Sequence, residues 1–226
     1  IKIFVPETIK DKSFKKEILE QKIDFILVVA YGNMITDDIL NLPKYYSINV
    51  HASLLPRWRG AAPIHRAILS GDQETGVSIM KVEKKLDSGP VFKKSKIKIE
   101  ENDTSEMVLK KIISRGKTIL LETLYNIIDN KYELEIQDTT KITYAHKIKK
   151  NESKINWNEK ASQIILKINA FYPSPGAWTY LDSGKRVKIL KARVVKYSGK
   201  ENKNDQSSTQ YSNDLIVKCG EDYLLI

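Results

Sequence analysis

Between Ile48 and Phe92 the chain passes through a short apolar strand, a tight turn, an Arg-rich loop, a helix and a second strand. This strand–helix alternation leaves few folds open. It extends in both directions. Upstream, 10–21 has helical apolar spacing (Phe14, Ile18, Leu19), and 25–30 (FILVVA) is a continuous apolar run. Runs of that kind fit strands buried on both faces of a parallel sheet. Thr36 is placed to cap a short helix whose first turn holds Asp37 and Asp38. Downstream, 62–69 reads as a helix ended by Gly71 and Asp72, 76–81 as an alternating strand, and 90–99 as one or two strands. Residues 105–130 read as a long amphipathic helix, with Val108, Ile112, Ile113, Ile119, Leu120, Leu124 and Ile127 as its apolar face. The expected architecture is an α/β fold with a doubly wound, mostly parallel sheet.

From about 138 the pattern becomes polar. A helix at 159–170 and a Pro/Gly-rich turn at 172–176 follow, then short stretches at 177–181, 186–195, 215–219 and 223–226. These predict a small antiparallel β-barrel of OB-like type. Residues 198–213 are polar and low in complexity, and read as a mobile loop. The expected division is 1–140 as the catalytic domain, 141–158 as a linker and 159–226 as the β-domain. The chain opens on a strand-like stretch at 1–5 with no starting Met and stops inside an apolar run. It is therefore read as part of a longer protein, with both domains cut short.

Charge separates the two parts. Residues 141–226 hold 16 Lys+Arg against 8 Asp+Glu, while 1–140 hold 22 against 20, within a total of +10. A basic C-terminal part points to a polyanion such as nucleic acid. The plain alternative is a Lys-rich composition spread over a solvated face. No stretch is long and apolar enough to span a membrane, and a single cysteine, Cys219, precludes an intrachain disulfide. A cytoplasmic location fits.

Chemistry concentrates at the end of one strand. Asn49 and His51 lie two residues apart, so their side chains share a face. Doubly wound sheets bind ligands at the carboxyl ends of their strands. An Asn amide can hold a developing oxyanion, and a His can carry a proton near neutral pH. Asp87, beyond the intervening helix and strand, can pair with His51 and orient it; Gly89 permits close approach of the backbone to a ligand. This is the layout of an acyl-transfer site. On spacing alone the trio is weak, because an Asn-x-His pair is common and a His in an α/β domain is more often structural. His65, which has no evident partner, and His146, which sits in the polar linker, both read as structural. Tyr31 and Gly32 form a strand-end turn that either lines a pocket or merely turns the chain. There is no phosphate-binding Gly-rich loop, Cys/His metal cluster or nucleophile elbow.

Asn49, Val50 and His51, the SLLP turn at 53–56 and the LDSG segment at 86–89 together resemble the folate-dependent formyltransferase family. That resemblance implies catalysis by Asn49, His51 and Asp87. It implies a 10-formyltetrahydrofolate site bordered by Ser53, Leu54, Leu55 and Pro56, and no metal. The segments VAYG (29–32), RWRGAAPI (57–64), GVSIM (76–80), TYAH (143–146) and KINW (154–157) resemble the branch acting on methionyl initiator tRNA. In that reading a monomer grips tRNA with its basic domain, and Arg57 and Arg59 either guide the acceptor end or pair with surface acids. Members of the family begin with a further strand–helix–strand unit ahead of Ile1. An amino-sugar-nucleotide formyltransferase and a non-catalytic RNA-binding relative stay open as alternatives.

Overall fold

The structure is a computed structural model that describes residues 3, 5–8, 11–196 and 215–226. The strand expected at 1–5 and the loop expected at 198–213 lie largely or wholly outside the described residues. The chain forms two compact units. One comprises 1–63, 75–98 and 111–146, the other 64–74, 99–110 and 147–226.

The first unit is built on a four-stranded sheet. Its strands are β1 (Phe25–Val28), β2 (Tyr46–His51), β4 (Glu74–Lys81) and β5 (Val91–Lys98), in the order β1-β2-β4-β5. β1 and β2 are parallel, with Val28 beside Asn49; β2 and β4 are antiparallel, with Asn49 beside Met80 and His51 beside Ser78. Among the described residues the sheet is thus mixed, with one parallel and one antiparallel pairing. An apolar run reports burial on both faces, not strand direction, so the pattern could not distinguish the two. β1 is the outer strand among the described residues, and Leu27 and Val29 stay 45% and 62% exposed, against the full burial expected of FILVVA. β4 differs the other way. Thr75–Met80 are all buried instead of alternating, because Gly76 and Ser78 are small and Ser78 spends its hydroxyl on the neighbouring turn.

Helix α1 (Lys12–Leu19) is capped by Asp11, whose carboxylate accepts from the Ser13 and Phe14 amides at 2.9 Å. α2 (Asp37–Leu40) has Thr36 at its N-cap position, without a side-chain cap bond. In α4 (Ser105–Ile128) the buried stripe is Val108, Ile112, Gly116, Ile119, Thr123 and Ile127. Ile113, expected in that stripe, is 53% exposed. Gly116 and Thr123 were invisible to an apolar pattern. The Thr123 hydroxyl is satisfied by the Ile119 carbonyl at 2.6 Å, so it can be buried at a helical i, i+4 position. The polar stretch after α4 is ordered by β3 (Arg59–Gly60) and β6 (Tyr144–Ala145), which pair in parallel.

In the second unit, α5 (Ala161–Phe171) buries Ile164 and Ile168 against Ile155, Ala177, Ile189 and Leu224. β7 (Ala177–Tyr180) pairs with β8 (Arg186–Ile189). β9 (Arg193–Val195), β10 (Ile216–Lys218) and β11 (Tyr223–Leu225) form a second antiparallel sheet in the order β10-β11-β9. The single strand expected at 186–195 is therefore two, one for each sheet. Among the described residues the two sheets do not close into a barrel. α3 (Pro63–Leu69) ends as its sequence indicates: the Gly71 amide returns to Ile68 and the Asp72 amide to Ala67 at 2.9 and 3.0 Å.

Candidate active site

β2 places Asn49 and His51 on one face, and the loop between β4 and β5 brings Asp87 to them. Asp87 Oδ1 accepts from Asn49 Nδ2 at 3.3 Å. Its Oδ2 accepts from the Gly60 amide at 2.8 Å and stands 3.6 Å from His51 Nδ1. The side chains of His51 and Asp87 are only 6% and 12% exposed, so their attraction is less screened than at an open surface. His51 Nε2 lies 2.9 Å from the Trp58 carbonyl oxygen. A carbonyl only accepts, so Nε2 carries a proton. A second proton at Nδ1 would face the Asp87 carboxylate, and the imidazolium then has a partner at each nitrogen.

Several backbone features hold this arrangement. Asp87 sits at φ +45° and Trp58 at φ +64°. The Trp58 amide is tied to Thr143 Oγ1 and the Arg59 amide to the Thr143 carbonyl, both at 2.9 Å. Gly60 is required where β3 meets β6: at φ +121°, a Cβ there would come within 2.8 Å of the Ala145 carbonyl oxygen. At Gly89 a Cβ would meet the Lys81 carbonyl oxygen at 2.0 Å.

The SLLP turn is anchored from within. Ser78 Oγ donates to the Ser53 carbonyl at 2.7 Å and accepts from the Leu55 amide at 3.1 Å. Ser53 Oγ donates to the Arg57 carbonyl at 2.6 Å. Ser53 and Leu55 are buried, and Leu55 packs with Met80 and Val91. Leu54 and Pro56 keep part of their surface accessible. Ser53 and Leu55 thus fix the shape of the turn, and Leu54 and Pro56 are its half-buried residues.

Arg59 departs from expectation. It is 3% exposed, and its Nε and Nη2 donate to Gln137 Oε1 at 3.1 and 2.8 Å. Among the described residues it is turned inward to Gln137 and pairs with no surface acid. Arg57 is exposed and lies over the Trp58 ring at 4.4 Å. Tyr31 is 43% exposed. His146 stands beside the Tyr144 ring. His65 belongs to the second unit, where burial pushes its imidazole below the ordinary 6.5 and Nδ1 has no hydrogen-bond partner among the described residues. Sequence reasoning missed Gln137. Its neighbour Ile136 is 78% exposed while Gln137 is 4% exposed, the reverse of the usual preference.

In the second unit, cations gather on aromatic rings. Arg186 lies 4.0 Å from the Trp178 ring centre, and Lys154 Nζ lies 5.8 and 5.6 Å from those of Trp178 and Tyr180. Among the described residues no group of His, Cys, Asp and Glu has metal-binding geometry, and no helix is long and apolar enough to cross a membrane.

Residues 2–124 match the formyl transferase family and 147–226 match its C-terminal domain. The chain belongs to the formyl transferase family. A methionyl-tRNA formyltransferase of Pelagibacter ubique is 44% identical over 216 residues, covering 95% of this chain and 67% of that protein. One of Caldanaerobacter subterraneus is 41% identical over 227 residues, covering 100% and 72%. An N-formyltransferase from Helicobacter canadensis, solved with folinic acid and dTDP-3-aminofucose, superposes with a TM-score of 0.71 at 21% identity, covering 93% of this chain and 76% of that one. HypX from Aquifex aeolicus, solved with tetrahydrofolic acid, gives 0.67 at 16% identity, covering 90% and 35%. These two likenesses concern the fold.

Proposed function

We propose that this chain transfers a formyl group from 10-formyltetrahydrofolate to the α-amino group of methionyl initiator tRNA. The observation that carries the reading is the convergence of Asn49, His51 and Asp87 in a chain whose relatives at 38–44% identity are methionyl-tRNA formyltransferases. Solved sugar N-formyltransferases resemble it in fold, at 20–23% identity.

The accessible faces of Leu54 and Pro56 suit the flat apolar body of a folate, which supplies the formyl carbon and the nitrogen that departs. Asn49 Nδ2 has two hydrogens, and Asp87 takes only one. The other meets the charge developing on the formyl oxygen. As the acceptor nitrogen bonds to the formyl carbon and the carbon–N10 bond breaks, one proton leaves the acceptor amine and one reaches N10. His51 holds the mobile proton at Nδ1, and Asp87 balances the imidazolium charge while it does so. The Trp58 carbonyl fixes the ring against rotation.

The basic C-terminal stretch from 141 onward holds the tRNA backbone, with Lys154, Arg186, Trp178 and Tyr180 offering both cations and ring faces. We assign the enzyme to the cytoplasm as a monomer, with no metal. The test is formyl transfer from labelled 10-formyltetrahydrofolate to methionyl initiator tRNA and, separately, to an amino-sugar nucleotide. The reading predicts label on tRNA alone, at a rate that falls with salt. Label on the sugar nucleotide alone, or tRNA binding without transfer, contradicts it.

A further inference from the structure

We propose that Gln137 is a positioning residue that sets the Asp87 carboxylate in place by holding its backbone. The inference rests on the catalytic role proposed for Asp87. Gln137 is buried, and it lies 50 residues beyond Asp87 in the stretch that follows α4. Its Nε2 donates one hydrogen to the Asp87 carbonyl at 2.9 Å and the other to the Gly89 carbonyl at 2.7 Å. Its Oε1 accepts two bonds from the Arg59 guanidinium. Both amide hydrogens and both oxygen lone pairs are thereby used.

The direction of the amide is forced. A guanidinium has no acceptor and a carbonyl has no donor, so turning the amide over would set like against like at all four contacts. Arg59 thus fixes which end of Gln137 faces the 87–89 turn. The result is a closed circuit. Arg59 grips Gln137, Gln137 grips the Asp87 and Gly89 carbonyls, and the Asp87 carboxylate accepts the amide of Gly60, the residue after Arg59. Backbone and side chain of Asp87 are referred to the same two-residue strand. A residue at φ +45° that must meet both Asn49 and His51 needs such a brace. Gln137 touches no reacting atom; it acts through Asp87.

The test is a double-mutant cycle on the full chain, reading kcat, KM for donor and acceptor, and thermal midpoint. Gln137→Ala is expected to lower kcat on the order of 100-fold, as misplacement of a catalytic group does, with both KM values moving less than about threefold. In an Asp87→Ala background, Gln137→Ala is expected to cost less than about twofold more, because nothing remains to be positioned. Should Gln137→Ala fail to fold, Gln137→Glu replaces it: it keeps an oxygen for Arg59 but sets its other oxygen against both carbonyls, and the same kcat loss is expected. An undiminished kcat in the folded variant, or losses that multiply with Asp87→Ala, overturns the positioning role. An Asp87→Ala single variant as active as the parent instead overturns the catalytic reading beneath it, so the two failures are told apart.

Discussion

Replacing Asp87 by Asn removes one charge and turns one of two accepting oxygens into a donor. Asn tolerates positive φ at least as well as Asp, so the +45° backbone is not strained further. The shape is kept, and the side-chain oxygen can still accept from the Gly60 amide that now bonds to Oδ2 at 2.8 Å. What goes is the charge pairing with His51 across 3.6 Å, together with the weaker 3.3 Å bond from Asn49 Nδ2, which then faces an NH2 group. At an effective dielectric of about 20, two unit charges at that distance attract by about 5 kcal/mol before desolvation. Hydrogen bonds to charged groups leave about 1.5–3 kcal/mol net. At about 1.4 kcal/mol per tenfold, the expected loss in kcat/KM is about 10- to 150-fold. The assay is steady-state transfer of labelled formyl to methionyl initiator tRNA, with a thermal melt showing that the variant is folded. A folded Asp87→Asn protein with kcat/KM within about threefold of the parent would refute the argument that the carboxylate charge supports His51.

Three further outcomes follow from packing and burial. Gly89→Ala pushes a methyl against the Lys81 carbonyl oxygen at 2.0 Å, and should cost about 1–3 kcal/mol in thermal or urea unfolding while lowering activity by displacing Asp87; unchanged stability would show that the turn yields freely. Ile168→Ala empties a fully buried site in the second unit and should cost about 2–5 kcal/mol in urea unfolding; a loss well below 1 kcal/mol would mean that this core collapses around the gap. His65 is held below 6.5 by burial, so just below that pH the unfolded chain takes up a proton the folded chain refuses. Stability should therefore rise with pH between the folded-state pKa of His65 and 6.5. His65→Gln should flatten that rise in urea midpoints measured at pH 5 and pH 7.5, and an identical pH dependence in the variant would contradict the assignment.

The elements were legible where chemistry and period coincide. Thr36 stands at a helix start and Gly71 ends α3, because caps and left-handed turns are written in residue type. Asn49 and His51 share a face because a strand has period two, and Asp87 reaches them through a turn that LDSG announces. Strand direction was not legible, since burial alone shapes the apolar runs of β2 and β4. The brace beneath the site was hidden for a different reason. Arg59 and Gln137 are polar residues that reach the interior only because each satisfies the other, and no local pattern announces a partner 78 residues away. Gly116 and Thr123 escaped for the same kind of reason: space in one case and a hydroxyl bonded to the preceding helical turn in the other fit them to a stripe read as apolar.

The most direct measurement is single-turnover formyl transfer to methionyl initiator tRNA by the parent and by His51→Ala, with tRNA affinity measured in parallel. The variant is expected to bind tRNA as the parent does and to transfer formyl at least about 100-fold more slowly. A rate within a few-fold of the parent would contradict the account, for it would place the proton and the chemistry elsewhere than at His51.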